Sequence, residues 1–174
     1  MSNNMQEIIK NPFVVLVIAI AVIGIGYSAL GSGQTSDGQN DESASGVLTV
    51  SEESWDLGEI SMADGDSVYT VELRNDSDLA VTITELYTSC MCTTAQLIYE
   101  DGSKSRVKGM PGHSGITRVS EVIEPGATAL LEIIFDPNAH GQDATGIISR
   151  SVYLETDSVT QPEIELQFFG NVTK

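Results

Sequence analysis

The sequence has only two cysteines and few basic residues, and no charged residue occurs between Asn11 and Ser36. Two cysteines are too few to hold a small fold together by disulfides. The 8 lysines and arginines stand against 25 aspartates and glutamates, which gives a formal net charge of −17. Nucleic acid binding depends on clustered basic side chains, so this balance argues against a nucleic acid partner. It also argues against docking on anionic lipid headgroups.

An apolar segment of 18 residues from Phe13 to Leu30 predicts a transmembrane helix. At about 1.5 Å per residue, this is the lower end of what spans a hydrocarbon core about 30 Å thick. The alternative is a cleaved secretory signal, with the small residues of Ala29–Gly31 as the cleavage site. Lys10 precedes the segment and the next basic residue is Arg74, so the positive-inside rule places the N-terminus in the cytoplasm. We therefore expect a single-pass cell-membrane protein, with residues 1–30 as cytoplasmic stub and anchor.

Residues 31–46 and 47–174 differ sharply in composition. The first stretch consists almost wholly of Gly, Ser, Asp, Asn and Gln, which predicts a flexible polar linker. The second contains short apolar runs with a period of two, separated by turn residues such as Glu124-Pro-Gly126. This pattern predicts an extracytoplasmic antiparallel β-sandwich of 7–9 strands, an all-β domain large enough to form a core without disulfides.

Several motifs follow one another in a recognisable order. They are Trp55-Asp-Leu-Gly58, a turn at Asn75, Cys90-Met-Cys92-Thr93 and Glu124-Pro-Gly126. Over roughly residues 48–170 this order resembles the bacterial domain-of-unknown-function 1573 family. The resemblance implies an Ig-like sandwich related to the hydin and abnormal-spindle-type domains, and it brings no catalytic activity. The chain departs from the family at Met91, where glycine is usual between the cysteines, and in a longer segment from Ile98 to Ile123.

The chemistry-bearing residues are confined to three short motifs. Cys90 and Cys92 follow a predicted strand, and if that strand continued, their side chains would share one face. The only two histidines, His113 and His140, lie in glycine-containing loops, and Met110 lies beside the first of them. Thiolate, thioether and imidazole donors suit copper, Cu(I) especially, while two thiolates with two imidazoles suit Zn²⁺. The sequence therefore predicts a soft-metal site, copper before zinc, formed by Cys90, Cys92, Met110, His113 and His140, with Met91 as an alternative thioether.

Two other functions remain open at this point. The domain could be a metal-free structural or adhesive module that contacts another envelope protein. It could also be a thiol–disulfide redox protein that uses Cys90 and Cys92, although it lacks the Cys-x-x-Cys motif of such proteins. The state of the two cysteines is open as well: in an oxidising exterior they could form a disulfide, or they could be inert thiols unconnected with the histidines. No nucleophile elbow, phosphate-binding loop or paired-carboxylate motif occurs, so we expect no enzyme.

Overall fold

The computed structural model describes residues 45–174, which form nine β-strands and one 3₁₀ turn. The predicted anchor and most of the predicted linker lie outside these residues. Within the described part, no helix has the length and apolar character of a membrane span. The strands are β1 Leu48–Val50, β2 Ser54–Ser61, β3 Ser67–Asn75, β4 Val81–Thr88, β5 Thr93–Tyr99, β6 Arg118–Ile123, β7 Thr128–Phe135, β8 Gly146–Thr156 and β9 Glu163–Thr173. The prediction of an all-β sandwich is confirmed for this region.

The strands form two sheets with an immunoglobulin-type division. The four-stranded sheet has the order β1-β3-β7-β5, and the five-stranded sheet has the order β2-β9-β8-β4-β6. The first sheet corresponds to strands A-B-E-D of an immunoglobulin domain, and β4, β8 and β9 correspond to strands C, F and G. Strand β2 runs parallel to β9 at one edge, whereas the other pairings are antiparallel.

The core lies between the sheets and follows the period-two pattern of the sequence. In β7 the side chains of Leu131, Ile133 and Phe135 are buried, and in β3 those of Val71 and Leu73 are buried. Because successive side chains of a strand point to opposite faces, these positions all face the second sheet. The buried side chains that the second sheet contributes to the core include Val152, Leu154, Ile164, Leu166 and Phe168.

The register of the strands brings two loops that are distant in the sequence to one end of the sandwich. Thr93, the first residue of β5, pairs with Phe135, the last residue of β7. Thr88, the last residue of β4, pairs with Val152 in β8. The four residues 89–92 therefore cross from one sheet to the other beside the loop that follows β7. We call residues 89–92 the crossover.

The long segment between β5 and β6 also reaches the crossover. Lys108 is buried, and its Nζ atom donates to the carbonyl oxygens of Ile116 and Arg118 at 2.6 and 3.0 Å. The bond to Arg118 joins the segment to β6, and the amide of Thr88 in β4 donates to the carbonyl oxygen of Gly109 at 3.4 Å.

Candidate functional site

Cys90 and Cys92 lie in a tight turn, not on a strand. Strand β4 ends at Thr88, and the amide of Thr93 donates to the carbonyl oxygen of Cys90 at 3.1 Å. The strand does not continue through the two cysteines, so they do not share a strand face. The turn brings their sulfur atoms together instead. The two Cα atoms are 5.3 Å apart and the cysteines are joined by a disulfide. Met91 projects outward between them and is 46% exposed.

Side chains from both flanks hold this turn. The buried Thr88 hydroxyl lies 3.0 Å from the carbonyl oxygen of Cys90 and 2.8 Å from that of Thr93. On the side of β8, the amide of Ser89 donates to the carbonyl oxygen of Ser151, and the amide of Ser151 donates back to the Ser89 hydroxyl, both at 2.9 Å. The crossover is thus bound to β8 before the first cysteine.

His140 reaches the crossover from the loop after β7. The amide of Asp136 donates to the carbonyl oxygen of Cys92 at 2.8 Å, and the carboxylate of Asp136 accepts from the amide of Asn138 at 2.7 Å. The next turn closes when the amide of Gly141 donates to the carbonyl oxygen of Asn138 at 2.9 Å, with a φ of 90° that favours glycine. These two turns bring Nε2 of His140 within 3.1 Å of Sγ of Cys90.

Three of the predicted ligands form one cluster in the described residues. The donor atoms of Cys90, Cys92 and His140 all lie within 4.8 Å of one another. His113 is exposed in the turn after Met110 and is not a member of this cluster. Met110 is half-buried and follows Gly109, so its backbone adjoins the crossover. As metal ligands, His113 and Met110 stay predictions.

The sequence analysis missed a fourth side chain at the cluster, Arg150 in β8. Its Nε atom donates to Sγ of Cys92 at 3.2 Å, and its Nη1 atom donates to the carbonyl oxygen of Ser149 at 2.7 Å. A signal was present: Val152 faces the core, so Arg150, two residues earlier, belongs to the same inward face. A charged residue at an inward position needs polar partners, and Arg150 finds them in the carbonyl oxygen of Ser149 and the sulfur of Cys92.

A cavity of about 320 Å³ opens beside the cluster. Its wall combines the polar side chains of Asp136, His140 and Arg150 with apolar side chains such as Ile148 and Val172. The two sulfurs differ in access, because Cys92 is only 2% exposed whereas Cys90 is half-buried. A ligand or a partner would therefore meet Cys90 and His140 first.

The oxidation state decides what this arrangement can do. In the disulfide neither sulfur is a thiolate, and thiolate is the form that binds metal or attacks another sulfur. A dithiol reductant that donates two electrons and two protons, and itself becomes a disulfide, would convert the pair to two thiols. Each thiol would lie next to a nitrogen: Cys90 next to the imidazole of His140 and Cys92 next to the guanidinium of Arg150. Reduction thus converts the site into a set of two sulfur donors and one imidazole donor.

Comparison with known proteins shows the fold and leaves the function open. No family model matches the chain, and no curated protein matches it. Among solved structures, it is similar to a protein of unknown function from Porphyromonas gingivalis W83, with a TM-score of 0.53 and 17% identity. That match covers 72% of this chain and 46% of the other, so this chain spans about half the length of that protein.

A second similar structure is the ASH/PapD-like domain 7 of human CEP192, with a TM-score of 0.46 and 16% identity, over 75% of this chain and 88% of the other. The resemblance to the domain-of-unknown-function 1573 family stays a prediction. At 17% identity the likeness to the Porphyromonas gingivalis protein shows a β-sandwich fold and nothing further.

Proposed function

We propose that this protein is a non-enzymatic module that binds a soft metal ion through Cys90, Cys92 and His140 when the two cysteines are reduced. The observation that carries the proposal is the convergence of three donor atoms within 4.8 Å, from two loops that are distant in the sequence. Two thiolates and one imidazole form a donor set for soft or borderline metals, whereas calcium and magnesium prefer oxygen.

Cu(I) suits this site better than Zn²⁺. Structural zinc sites are almost always tetrahedral with four protein ligands. The cluster in the described residues supplies three. Thiolate ligands favour Cu(I), which accepts three-coordinate geometry. The half-buried position of Cys90 and the exposed position of His140 suit an ion that is exchanged with a partner, as in metal delivery, storage or sensing.

The disulfide supports a location where thiols are oxidised, such as the cell exterior or the periplasm. With residues 1–30 as anchor and 31–46 as linker, the sandwich would lie outside the cytoplasmic membrane. In that setting the site holds metal when it is reduced, and loses its thiolate donors when Cys90 and Cys92 form the disulfide.

The test is a Cu(I) titration of the purified, reduced full chain against a chromophoric Cu(I) chelator. The expected result is one tightly bound Cu(I) per chain, lost in the Cys90→Ser and Cys92→Ser variants. His113→Ala is the matched control, because it removes an imidazole outside the cluster. Substoichiometric binding by the wild-type protein, or unchanged binding by both serine variants, would rule out the site.

The second candidate function is thiol–disulfide exchange, which the bonded state of the cysteines favours. The more accessible Cys90 would attack the disulfide of a partner, which forms a mixed disulfide and releases one partner sulfur as a thiol. Cys92 would then attack the sulfur of Cys90, which forms the Cys90–Cys92 disulfide and releases the second partner thiol. In this case Cys92→Ser should accumulate a mixed disulfide with a small disulfide reagent. Wild-type protein should cycle between the dithiol and the disulfide form of Cys90 and Cys92. Stoichiometric Cu(I) binding without such exchange favours the metal site.

The third candidate function is a metal-free structural or adhesive module of the cell envelope, which rests on the outer face of the five-stranded sheet. Ile147 is 90% exposed and Phe169 is 36% exposed there. Ile147 pairs with Asn171 and Ser149 pairs with Phe169, so the two apolar side chains are diagonal neighbours. Exposed apolar patches are common at protein interfaces. Loss of an envelope partner in Ile147→Ser, with unchanged Cu(I) binding, would separate this role from the metal site.

A further inference from the structure

We propose that Arg150 makes the site selective for monovalent soft ions over divalent ions. The inference rests on the proposed metal site and identifies the class of ion that it takes. It starts from the contact between the guanidinium Nε atom and Sγ of Cys92, which are 3.2 Å apart. A fixed positive charge thus adjoins one of the three donors.

The guanidinium is held in place by the fold. Arg150 lies within β8 and pairs with Phe168 of β9, which is fully buried. Its Nη1 atom is anchored on the carbonyl oxygen of Ser149 at 2.7 Å. Arginine stays protonated in proteins, so its charge is present in the oxidised, reduced and metal-loaded protein alike.

This charge acts differently on ions of different valence. The Coulomb energy between two charges is proportional to their product, so a divalent ion at the sulfurs is repelled by Arg150 twice as strongly as a monovalent ion. Asp136, on the wall of the neighbouring cavity, attracts both ions and lowers the repulsion. Since Asp136 is present in wild-type and Arg150 variants alike, the effect of removing Arg150 still follows the valence of the ion.

The net charge of the loaded site acts in the same direction. Two thiolates around a monovalent ion carry a net negative charge, which the guanidinium offsets. With a divalent ion the same donors are already neutral, and the guanidinium is left uncompensated.

The experiment compares Arg150→Gln with wild-type protein in the reduced full chain. The probes are Cu(I) and Ag(I) as monovalent ions, and Zn²⁺ and Cd²⁺ as divalent ions. In Arg150→Gln we expect the affinity for Zn²⁺ and Cd²⁺ to rise by about tenfold or more relative to that for Cu(I) and Ag(I). Arg150→Lys keeps the charge and should retain most of the selectivity.

The matched control is Arg74→Gln. Arg74 pairs with Thr128, at the far end of the four-stranded sheet from Phe135, and it forms an exposed ion pair with Asp76. Its removal changes the net charge equally and should leave the selectivity unchanged. Arg150→Met is measured in parallel, so that a folding defect specific to one replacement does not decide the outcome; strand content by circular dichroism checks each variant.

Two failures are distinguishable. If wild-type protein binds Cu(I) and the ratio of divalent to monovalent affinities in Arg150→Gln and Arg150→Met is the same as in wild-type protein, the role of Arg150 is wrong and the metal site stands. If wild-type protein binds none of the four ions, the metal site and the role of Arg150 are both wrong.

Discussion

The Nε2 atom of His140 lies 3.1 Å from the Sγ atom of Cys90, although 50 residues separate them in the sequence. The strand register explains this proximity. Because Thr93 pairs with Phe135, the residues just before β5 and those just after β7 are neighbours. The site is therefore a consequence of how β5 and β7 pair, and it involves one of the two histidines.

The two histidines should differ in their effect on Cu(I) binding. We expect His140→Ala to weaken Cu(I) binding by at least about tenfold, because loss of contacts beyond the direct ligands already costs 10–100-fold in other metal sites. His113→Ala should match wild-type protein, since His113 lies outside the cluster. Chelator competition on the reduced full chain measures both. Equal losses in the two variants would show that the exposed loop also binds the metal.

The two cysteines should react at different rates once they are reduced. Cys92 is 2% exposed and Cys90 is half-buried, so an alkylating reagent should modify Cys90 first. Stoichiometric Cu(I) should protect both. Mass spectrometry of timed samples follows each cysteine separately. Faster modification of Cys92, or unchanged rates with Cu(I), would contradict the proposed arrangement.

The strands were largely predictable from the sequence, because each buries one face against the other sheet. Apolar residues at every second position of β7 and β9 mark Leu131, Ile133, Leu166 and Phe168 as core residues, and all four are buried. The period of two is local information, and it needs no knowledge of which strands pair.

The site was predictable only in part, because it depends on pairing between distant segments. His113 and His140 look alike in the sequence, each next to or near glycine in a loop. Only the register of β5 with β7 selects His140. The inward position of Arg150 was predictable from the alternation of faces along β8. Its contact with Cys92, 58 residues away, was not.

Asn75 should be important for stability, although it lies far from the site. Its buried side chain donates to the carbonyl oxygens of Leu79 and Ile123, both at 2.8 Å, and accepts from the amide of Ser77 at 3.0 Å. Asn75→Ala leaves these groups without partners and should lower the free energy of unfolding by about 3 kcal/mol. Urea unfolding of the full chain measures the difference.

The control is Asn138→Ala, which removes an exposed hydrogen bond to the carbonyl oxygen of Met62. Its cost should stay below about 1 kcal/mol, the range of an ordinary exposed contact. Similar losses in the two variants would mean that Asn75 does not hold the β3–β4 turn.

Alkaline pH should destabilise the sandwich through its tyrosines. Burial, together with the nearby carboxylates of Glu163 and Glu155, raises the pKa of Tyr87 to about 12. Burial and a hydrogen bond to Glu121 raise the pKa of Tyr99 as well. The folded protein therefore holds these protons more tightly than the unfolded chain, whose tyrosine pKa is about 10.

The stabilisation from Tyr87 is fully present below pH 10 and is lost as the pH rises from about 10 to about 12. Denaturant unfolding at several pH values should show this decline in wild-type protein and a shallower decline in Tyr87→Phe. An equally steep decline in the variant would assign the alkaline transition to other groups.

X-ray absorption at the copper edge of the reduced, Cu(I)-loaded full chain tests the central claim most directly. The account predicts two sulfur neighbours and one nitrogen neighbour around copper, and loss of the nitrogen in His140→Ala. A copper shell without sulfur, or the same shell in wild-type and His140→Ala proteins, would contradict a site formed by Cys90, Cys92 and His140.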